Sequence, residues 1–333
     1  IFWRLSMYDH TPARPGTRSH TAMSRRHALS KVSIGAAALS ASVPAPSIAA
    51  SQIKQCTLGF STYGMKTLST GNAVDAISAI GYDSLELCVR PGWDADSARL
   101  AKPARRKLRT RIENASLRLT SLMEHVFPID AEHQVTALHR LKLAADLAHE
   151  LSPEAPPMIQ TVLGGGDFES VKSLLAERLE QWVRLAESND VTIAIKPHRG
   201  GVVSKPSEAV WLIEQLGAPP CLRLVYDYSH YAFRDLSLED TVETAHLYTG
   251  MIAVKDAVKE GDRVVFRLPG ESDTFDYERL LGMFYSRGYR GDVNCEVSSM
   301  VSSRPGYDPI EAAKICYRNL STVFTQAKIP RPQ

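Results

Sequence analysis

Short apolar runs alternate with longer amphipathic stretches along the chain from Cys56 onward. This alternation is typical of βα units, in which helices connect the parallel strands of one sheet. Eight such apolar runs are present, and eight is the number of strands that closes a barrel. The predicted strands are residues 57–63, 84–89, 118–124, 158–163, 192–196, 223–227, 250–254 and 292–297.

Helices are predicted between these strands, because apolar residues recur there at three- and four-residue spacing. Gly81, Gly217 and Gly288 follow the ends of such stretches, where a left-handed helix cap is expected. The predicted helices include residues 74–80, 135–149, 171–188, 207–216 and 275–287.

The fold class that follows is α/β, with residues 51–333 forming one (β/α)₈ TIM barrel. This length fits a single barrel, which usually takes about 250 residues. The alternative is a doubly wound open sheet, which needs a glycine-rich phosphate loop after its first strand. Residues 60–64, FSTYG, lack the G-x-G-x-x-G pattern of that loop. The three glycines at 164–166 follow the fourth strand and are interpreted as a tight loop at the barrel mouth.

The segment before the barrel has the features of a targeting signal. A pair of arginines, Arg25 and Arg26, precedes an alanine-rich apolar run at residues 32–43. Such a pair is typical of a twin-arginine signal peptide. The run is shorter than the roughly 20 residues that span a bilayer. We therefore expect residues 23–50 to direct export to the periplasm, with no membrane segment in the mature protein.

Two further interpretations concern the same end of the chain. The alternative to a signal peptide is a disordered basic tail that contains an alanine-rich helix. Residues 1–22 precede a plausible start at Met23 and have no core-forming pattern. They are interpreted as a non-native or disordered leader.

The balance of charge argues against a nucleic-acid partner. The chain has 39 Lys and Arg against 37 Asp and Glu, and six of the basic residues but one acidic residue precede Ser51. The remainder is therefore net acidic, whereas proteins that bind nucleic acid need basic side chains to neutralise phosphates. The five cysteines are widely spaced and form no C-x-x-C pair, so buried free thiols are expected. We expect a small-molecule partner, and no pattern indicates an oligomeric state.

Charged residues stand at the ends of most predicted strands. In a (β/α)₈ barrel the active site is built where the strands end, at the carboxyl face. Burying Lys196, Asp227 and Glu296 in one barrel interior is unfavourable unless they pair with each other or bind a ligand. A single glutamate or histidine at such a place is often only a hydrogen-bonded structural group. The residues concerned are Glu86, Glu124, His125, Lys196, His198, Arg199, Asp227, His230, Lys255, Asp256 and Glu296.

The order of these motifs resembles the xylose isomerase-like TIM barrel family, the sugar phosphate isomerases and epimerases. The similar strings are GYDSLELCV on the second strand, IAIKPHRG on the fifth, LVYDYSHY on the sixth, AVKDAV on the seventh, FRLPGES in the loop that follows, and RGYRGDVNCEVS into the eighth. The resemblance covers nearly all of the chain after residue 50. It implies a TIM barrel that acts on a small carbohydrate.

The resemblance also implies a metal site, from which this chain departs. Active members hold one divalent metal through a Glu, an Asp, a His and a Glu on strands five to eight. Asp227 and Glu296 match the second and fourth ligands, but Lys196 and Ala253 stand where the first and third are expected. Two carboxylates alone make a poor octahedral site for manganese or magnesium. The expected cofactor is therefore none, or one weakly bound divalent metal.

We hypothesise that the Lys196 ammonium takes over part of the missing cation's work. It would neutralise Asp227 and Glu296 and polarise a substrate oxygen. An alternative is that Lys196 has a lowered pKa and acts as a base or forms a Schiff base with a carbonyl substrate.

The function implied is sugar isomerisation or epimerisation, by removal of a proton next to a carbonyl group. Glu296 is the expected base, and Lys196 and His198 are the expected stabilisers of the oxyanion. Two other functions stay open: a lyase or dehydratase acting on a keto-sugar, and a carbohydrate-binding protein without turnover. The residues expected to bind substrate are His125, Arg199, His230, Lys255, Arg267 and Glu271.

Overall fold

A computed structural model describes residues 55–332, and within them eight parallel strands close into a barrel. Each strand pairs with its predecessor in the chain, and the last pairs with the first. The predicted TIM barrel is therefore confirmed. The leader expected at 1–22 and the signal expected at 23–50 lie outside the described residues. The barrel strands are β1 (Thr57–Ser61), β2 (Ser84–Cys88), β3 (Arg118–Met123), β4 (Met158–Thr161), β5 (Ile193–Ile195), β6 (Leu222–Tyr226), β7 (Thr249–Val254) and β10 (Asp292–Cys295).

Helices surround the barrel, and several begin earlier than their apolar periodicity predicts. The stretches predicted to start at 135 and 171 begin at Ala131 and Phe168. In each case an aspartate side chain caps the first turn and accepts a hydrogen bond from the backbone three residues later. The helices are α1 (Thr70–Ile80), α2 (Lys102–Asn114), α3 (Ala131–Leu151), α4 (Phe168–Ser188), α5 (Pro206–Gln215), α6 (Leu238–Ala245), α7 (Tyr277–Ser286), α8 (Ser299–Ser302) and α9 (Pro309–Gln326).

A β-hairpin stands where the sequence predicted only a loop after the seventh strand. Its strands are β8 (Asp256–Glu260) and β9 (Arg263–Arg267), which pair antiparallel around Gly261. Gly261 has a positive φ of 59°, which the tight turn requires. The hairpin follows β7 directly and therefore lies at the carboxyl ends of the barrel strands.

The predicted glycine caps are confirmed where the backbone needs them. Gly81 ends α1 with a φ of 102°, and Gly288 follows α7 with a φ of 90°. Residues with a side chain rarely adopt these angles. Among residues 55–332, none of the helices is both long enough and apolar enough to cross a membrane.

Gly59 of β1 packs directly against buried polar side chains of the two neighbouring strands. A Cβ atom there would lie 2.2 Å from Oδ1 of Asn294 and 2.4 Å from Oγ of Ser84. Both neighbours are buried and lie on adjacent strands. Space between these strands is therefore available only to a residue without a side chain.

We expect Gly59→Ala to lower the free energy of unfolding by about 1–3 kcal/mol, because overpacking displaces neighbours that have no free space. Urea unfolding at neutral pH measures the change. Gly282→Ala on α7 is the matched control, since its Cβ would meet no atom within 4 Å. That control should be neutral or stabilising by up to about 1 kcal/mol. An equal response of the two variants would contradict the packing argument.

Candidate active site

A cavity of about 500 Å³ opens at the carboxyl ends of the barrel strands. Its lining comes from the carboxyl ends of β1, β2, β3, β4, β5, β7 and β10 and from the loops that follow them, together with the hairpin. This is the face at which TIM barrels place their active sites. The charged and imidazole groups of the lining are those of Arg90, Glu124, His125, Lys196, His198, Arg199, Lys255 and Glu296.

Two ammonium groups and two carboxylates meet at the closed end of this cavity. Lys196 Nζ lies 2.6 Å from Glu296 Oε2 and 3.0 Å from Asp227 Oδ2. Lys255 Nζ lies 2.6 Å from Glu296 Oε1 and 3.1 Å from Asp227 Oδ2. All four side chains are at most 7% exposed. We call these residues the four-charge cluster.

The predicted meeting of Lys196 with Asp227 and Glu296 is therefore observed, and Lys255 joins them. The two ammonium groups balance the two carboxylates, so the cluster carries no net charge, and each ammonium group contacts both carboxylates. A single buried charge without a partner is strongly unfavourable, whereas a compensated set with short contacts is tolerated. Asp227 accepts two more hydrogen bonds, from the backbone N–H and the hydroxyl of Ser229.

The cluster sets the protonation of its own members. Burial raises the pKa of Glu296, but the ammonium groups of Lys196 and Lys255 outweigh burial and bring it to about 2. Burial also raises the pKa of Asp227, but Lys255 and then Lys196 outweigh burial and bring this pKa to about 2. Burial lowers the pKa of Lys196, but the two carboxylates outweigh it and raise the pKa above its ordinary value. Lys196 therefore stays protonated, which disfavours the alternative of a nucleophilic or Schiff-base amine.

The residues present do not fit the divalent metal that the fold family implies. The Nζ atoms of Lys196 and Lys255 take up the carboxylate oxygens of Asp227 and Glu296 and would repel a cation. Ala253, at the expected histidine position, offers no donor side chain. Within the described part of the chain, no group of three or more His, Cys, Asp or Glu residues could hold a metal ion.

Two histidines line the cavity, and a third lies beside Asp227 of the cluster. His198 and His125 face the cavity, as predicted. His230 does not, because it is fully buried behind His198, with the two ring centroids 4.0 Å apart. Its Nε2 atom is 3.5 Å from Asp227 Oδ2. His230 therefore does not line the cavity, contrary to the expectation that it would bind substrate, whereas His198 does.

The imidazoles are held in their neutral form. Burial, followed by Lys255 and Lys196, lowers the pKa of His198 to about 4. Burial, followed by Arg90 and His198, lowers the pKa of His125 to about 4. The pKa of His230 lies well below its ordinary value, mainly through burial and Lys255. At neutral pH His125 and His198 can accept a proton or a hydrogen bond.

Two of the residues predicted to bind substrate lie elsewhere. Arg267 is on the hairpin, where its guanidinium pairs with Glu260 at 2.6 Å. Glu271 accepts a hydrogen bond from the backbone N–H of Leu268 at 2.8 Å and so stabilises the turn after the hairpin. Neither lines the cavity. For Arg267 the reason is the antiparallel hairpin, which the sequence analysis did not predict and which pairs this residue with Glu260.

Several residues of the cavity were not predicted as site residues. Arg90 directly follows the second apolar run and donates to His125 Nδ1. Gln160 on β4 donates to the buried carboxyl of Glu86 at 3.1 Å. Glu124, which was expected at a strand end but was given no role, is paired with Arg140 at 2.6 Å. The position of Arg90 just after a strand could have indicated its role, whereas Gln160 lies within an apolar run and gives no such signal.

Comparison with known proteins agrees with the barrel. A family model described as "Xylose isomerase-like TIM barrel" matches residues 74–317. No curated protein matches the chain. Among solved structures, a fusion protein of a xylose isomerase-like TIM barrel and a 4-hydroxyphenylpyruvate dioxygenase is similar, with a TM-score of 0.68 and 17% identity over 84% of this chain. The chain covers 45% of that fusion protein's length.

Two further structures match over nearly their whole length. A D-psicose 3-epimerase from Clostridium cellulolyticum H10, determined with D-tagatose, has a TM-score of 0.64 and 16% identity over 80% of this chain and 99% of its own. The IOLI protein with a bound zinc atom has a TM-score of 0.68 and 16% identity over 81% of this chain and 99% of its own. At these identities the likeness is one of fold.

We expect the buried histidines to make the protein less stable as the pH falls from about 6.5 towards 4. The unfolded chain binds protons at its histidines in this range, whereas folded His198 and His125 stay neutral down to about 4. His198→Asn should reduce the loss of unfolding free energy between pH 7 and pH 5 by about 1–2 kcal/mol. Urea unfolding at the two pH values measures it.

His139→Asn, at an exposed position of α3, is the control for this experiment. It should leave the pH dependence as it is in the native chain. If the His198 variant lost as much unfolding free energy between pH 7 and pH 5 as the native protein, the His198 imidazole would not be held neutral in the folded state.

Proposed function

The chain belongs to the xylose isomerase-like TIM barrel family, and on that premise we propose that it is a sugar isomerase or epimerase. The observation that carries the proposal is the four-charge cluster at the closed end of the cavity. Its two ammonium groups would offer N–H donors to the negative charge that proton removal next to a carbonyl group creates on oxygen. The similar D-psicose 3-epimerase supports a sugar as the substrate class.

Lys196 and Lys255 would stabilise the enediolate oxygen together. An ammonium group has three N–H donors, and each of these lysines contacts two carboxylates. One N–H of each is left for a substrate oxygen, and both side chains line the cavity. Charge-assisted hydrogen bonds of this kind are about twice as strong as neutral ones. Lys196 and Lys255 would together replace the metal ion that relatives bind. The sequence analysis expected this role for Lys196 alone.

His198 is the better candidate for the base. Glu296 is ionised and could accept a proton, but its pKa of about 2 makes it a weak base. His198 is neutral, lies in the cavity and has the higher pKa of about 4. For isomerisation it would take the proton from the carbon next to the carbonyl and return it to the former carbonyl carbon, while the hydroxyl proton moves between the two oxygens. For epimerisation a proton from solvent would be added to the opposite face of the same carbon, and His198 would release the abstracted proton to solvent. Glu296 would then serve to hold the two ammonium groups in place.

Other cavity residues would bind the hydroxyl groups of the sugar. Arg90 and Arg199 carry guanidinium groups that form no ion pair within the described part of the chain, and His125 lies beside Arg90. Such donors suit sugar oxygens or an acidic substituent.

We expect loss of the cluster to abolish proton abstraction. Lys196→Met combined with Asp227→Asn removes one charge of each sign, so the buried cluster stays neutral and the barrel is retained. Deuterium uptake from D₂O into D-fructose or D-tagatose, followed by NMR, should fall at least about 100-fold. The same spectra detect isomer formation and elimination products, which separates an isomerase from a lyase.

The matched control for this variant is Arg111→Met combined with Asp75→Asn, which removes an exposed ion pair. It should leave deuterium uptake unchanged. No uptake by the native protein from any keto-sugar, although the sugar binds, would favour a carbohydrate-binding protein without turnover.

We also expect activity without a divalent metal. Treatment with EDTA followed by gel filtration should leave deuterium uptake within about twofold of the untreated rate, because the ammonium groups already supply the positive charge. Addition of Mn²⁺ or Mg²⁺ should not raise it. An activity that EDTA removes and Mn²⁺ restores would defeat the proposed role of the lysines.

A further inference from the structure

A second pocket lies beside the main cavity and is continuous with its wall. It has a volume of about 240 Å³ and shares Tyr63 and Ser299 with the main cavity. We call it the side pocket. The two spaces therefore adjoin at these two residues, and the side pocket is open to solvent at Thr67, Ser299 and Ser303.

One wall of the side pocket is aromatic. The rings of Tyr63 and Trp93 are stacked, with centroids 5.6 Å apart and planes 17° apart. The backbone of Gly64 adjoins them and accepts a hydrogen bond from the hydroxyl of Tyr307 at 2.9 Å. Lys66 reaches over the Trp93 ring, with Nζ 4.2 Å from its centroid. The Arg90 guanidinium also lies over both rings, 5.5 Å from the Tyr63 centroid and 5.2 Å from the Trp93 centroid, so this wall combines aromatic rings with two cationic groups.

The rest of the lining is a group of short hydroxyl side chains. Within residues 55–332, none of these hydroxyls has a hydrogen bond to another protein group, although hydroxyl groups in a pocket can each donate and accept. Their partners would have to come from a ligand or from solvent. The residues are Thr67, Ser299, Ser302 and Ser303.

An aromatic wall that faces unpaired hydroxyl groups suits a sugar ring. A pyranose ring presents C–H groups on its faces and hydroxyl groups around its edge, which match these two kinds of surface. The main cavity already provides the charged groups that the proposed reaction needs. The side pocket has no carboxylate or imidazole in its lining, so it is equipped to bind and not to react.

We infer that the substrate is a glycoside of at least two sugar units, with the reacting unit in the main cavity and a second sugar ring in the side pocket. This rests on the proposed function, because it assumes that the reacting unit is a sugar. Tyr63 and Ser299, which line both spaces, would flank the glycosidic bond.

The test compares single sugars with disaccharides that end in the same ketose. The probes are D-fructose, lactulose and isomaltulose, which differ by an added hexose and by its linkage. For the native protein, kcat/KM for deuterium uptake into at least one disaccharide should exceed that for D-fructose by about tenfold or more. Isothermal titration of the same three sugars provides a readout that needs no turnover.

A blocking variant locates the preference in the side pocket. Ser303→Trp places a large ring at an exposed position of that pocket and should reduce the disaccharide-to-fructose ratio to about one. Ser188→Trp, at the exposed end of α4, is the matched control and should retain the native ratio. Equal kinetics and equal affinity for fructose and both disaccharides would overturn the inference, as would a native ratio in Ser303→Trp.

Different results would contradict the proposed function and the sugar site in the side pocket. Uptake into D-fructose with no gain in either kcat/KM or affinity for both disaccharides would overturn the inference and leave the proposed function standing. Absence of uptake from all three sugars would count against the proposed function. In that case tighter binding of a disaccharide, lost in Ser303→Trp, would still support the side pocket as a sugar site.

Discussion

The contact of two lysine ammonium groups with two carboxylates inside a closed barrel is the interaction on which this site depends. Lys196, Lys255, Asp227 and Glu296 are brought together from four successive barrel strands or their ends. Removing any one of them would leave an uncompensated charge out of contact with water, a change that typically costs about 3–5 kcal/mol. The cluster is therefore a structural element of the barrel as well as a source of fixed charge.

The field of the cluster extends to the groups around it. Its ammonium groups contribute to the low pKa of His198, and its carboxylate Glu296 adds to burial in raising the pKa of Glu86. Glu86 is held by the hydroxyls of Ser61 and Ser121, each at 2.7 Å, and by the amide of Gln160. Because Gln160 also lines the cavity, one hydrogen-bonded layer connects the barrel interior with the cavity.

Much of this arrangement could be predicted from the sequence, for reasons that particular residues make clear. The eight apolar runs and their spacing determine a closed parallel barrel, and such a barrel brings all carboxyl strand ends to one face. Lys196, Asp227 and Glu296 stand at the carboxyl ends of such runs, so the topology of the barrel already predicts that they lie near each other. The early starts of α3 and α4 could not be read from apolar periodicity, since aspartate caps extend each helix before its first regularly spaced apolar residue.

The sequence by itself determined the barrel, the strand ends that carry charge and the departure from the family's metal ligands, because these depend on the local pattern and on order along the chain. Only the tertiary structure decided that Lys255 completes the cluster, that His230 lies behind His198, and that the hairpin turns Arg267 away from the cavity. These outcomes depend on the direction of each side chain and on distances between residues far apart in the chain. A linear order of residues does not contain those distances, whereas closure of the barrel imposes them.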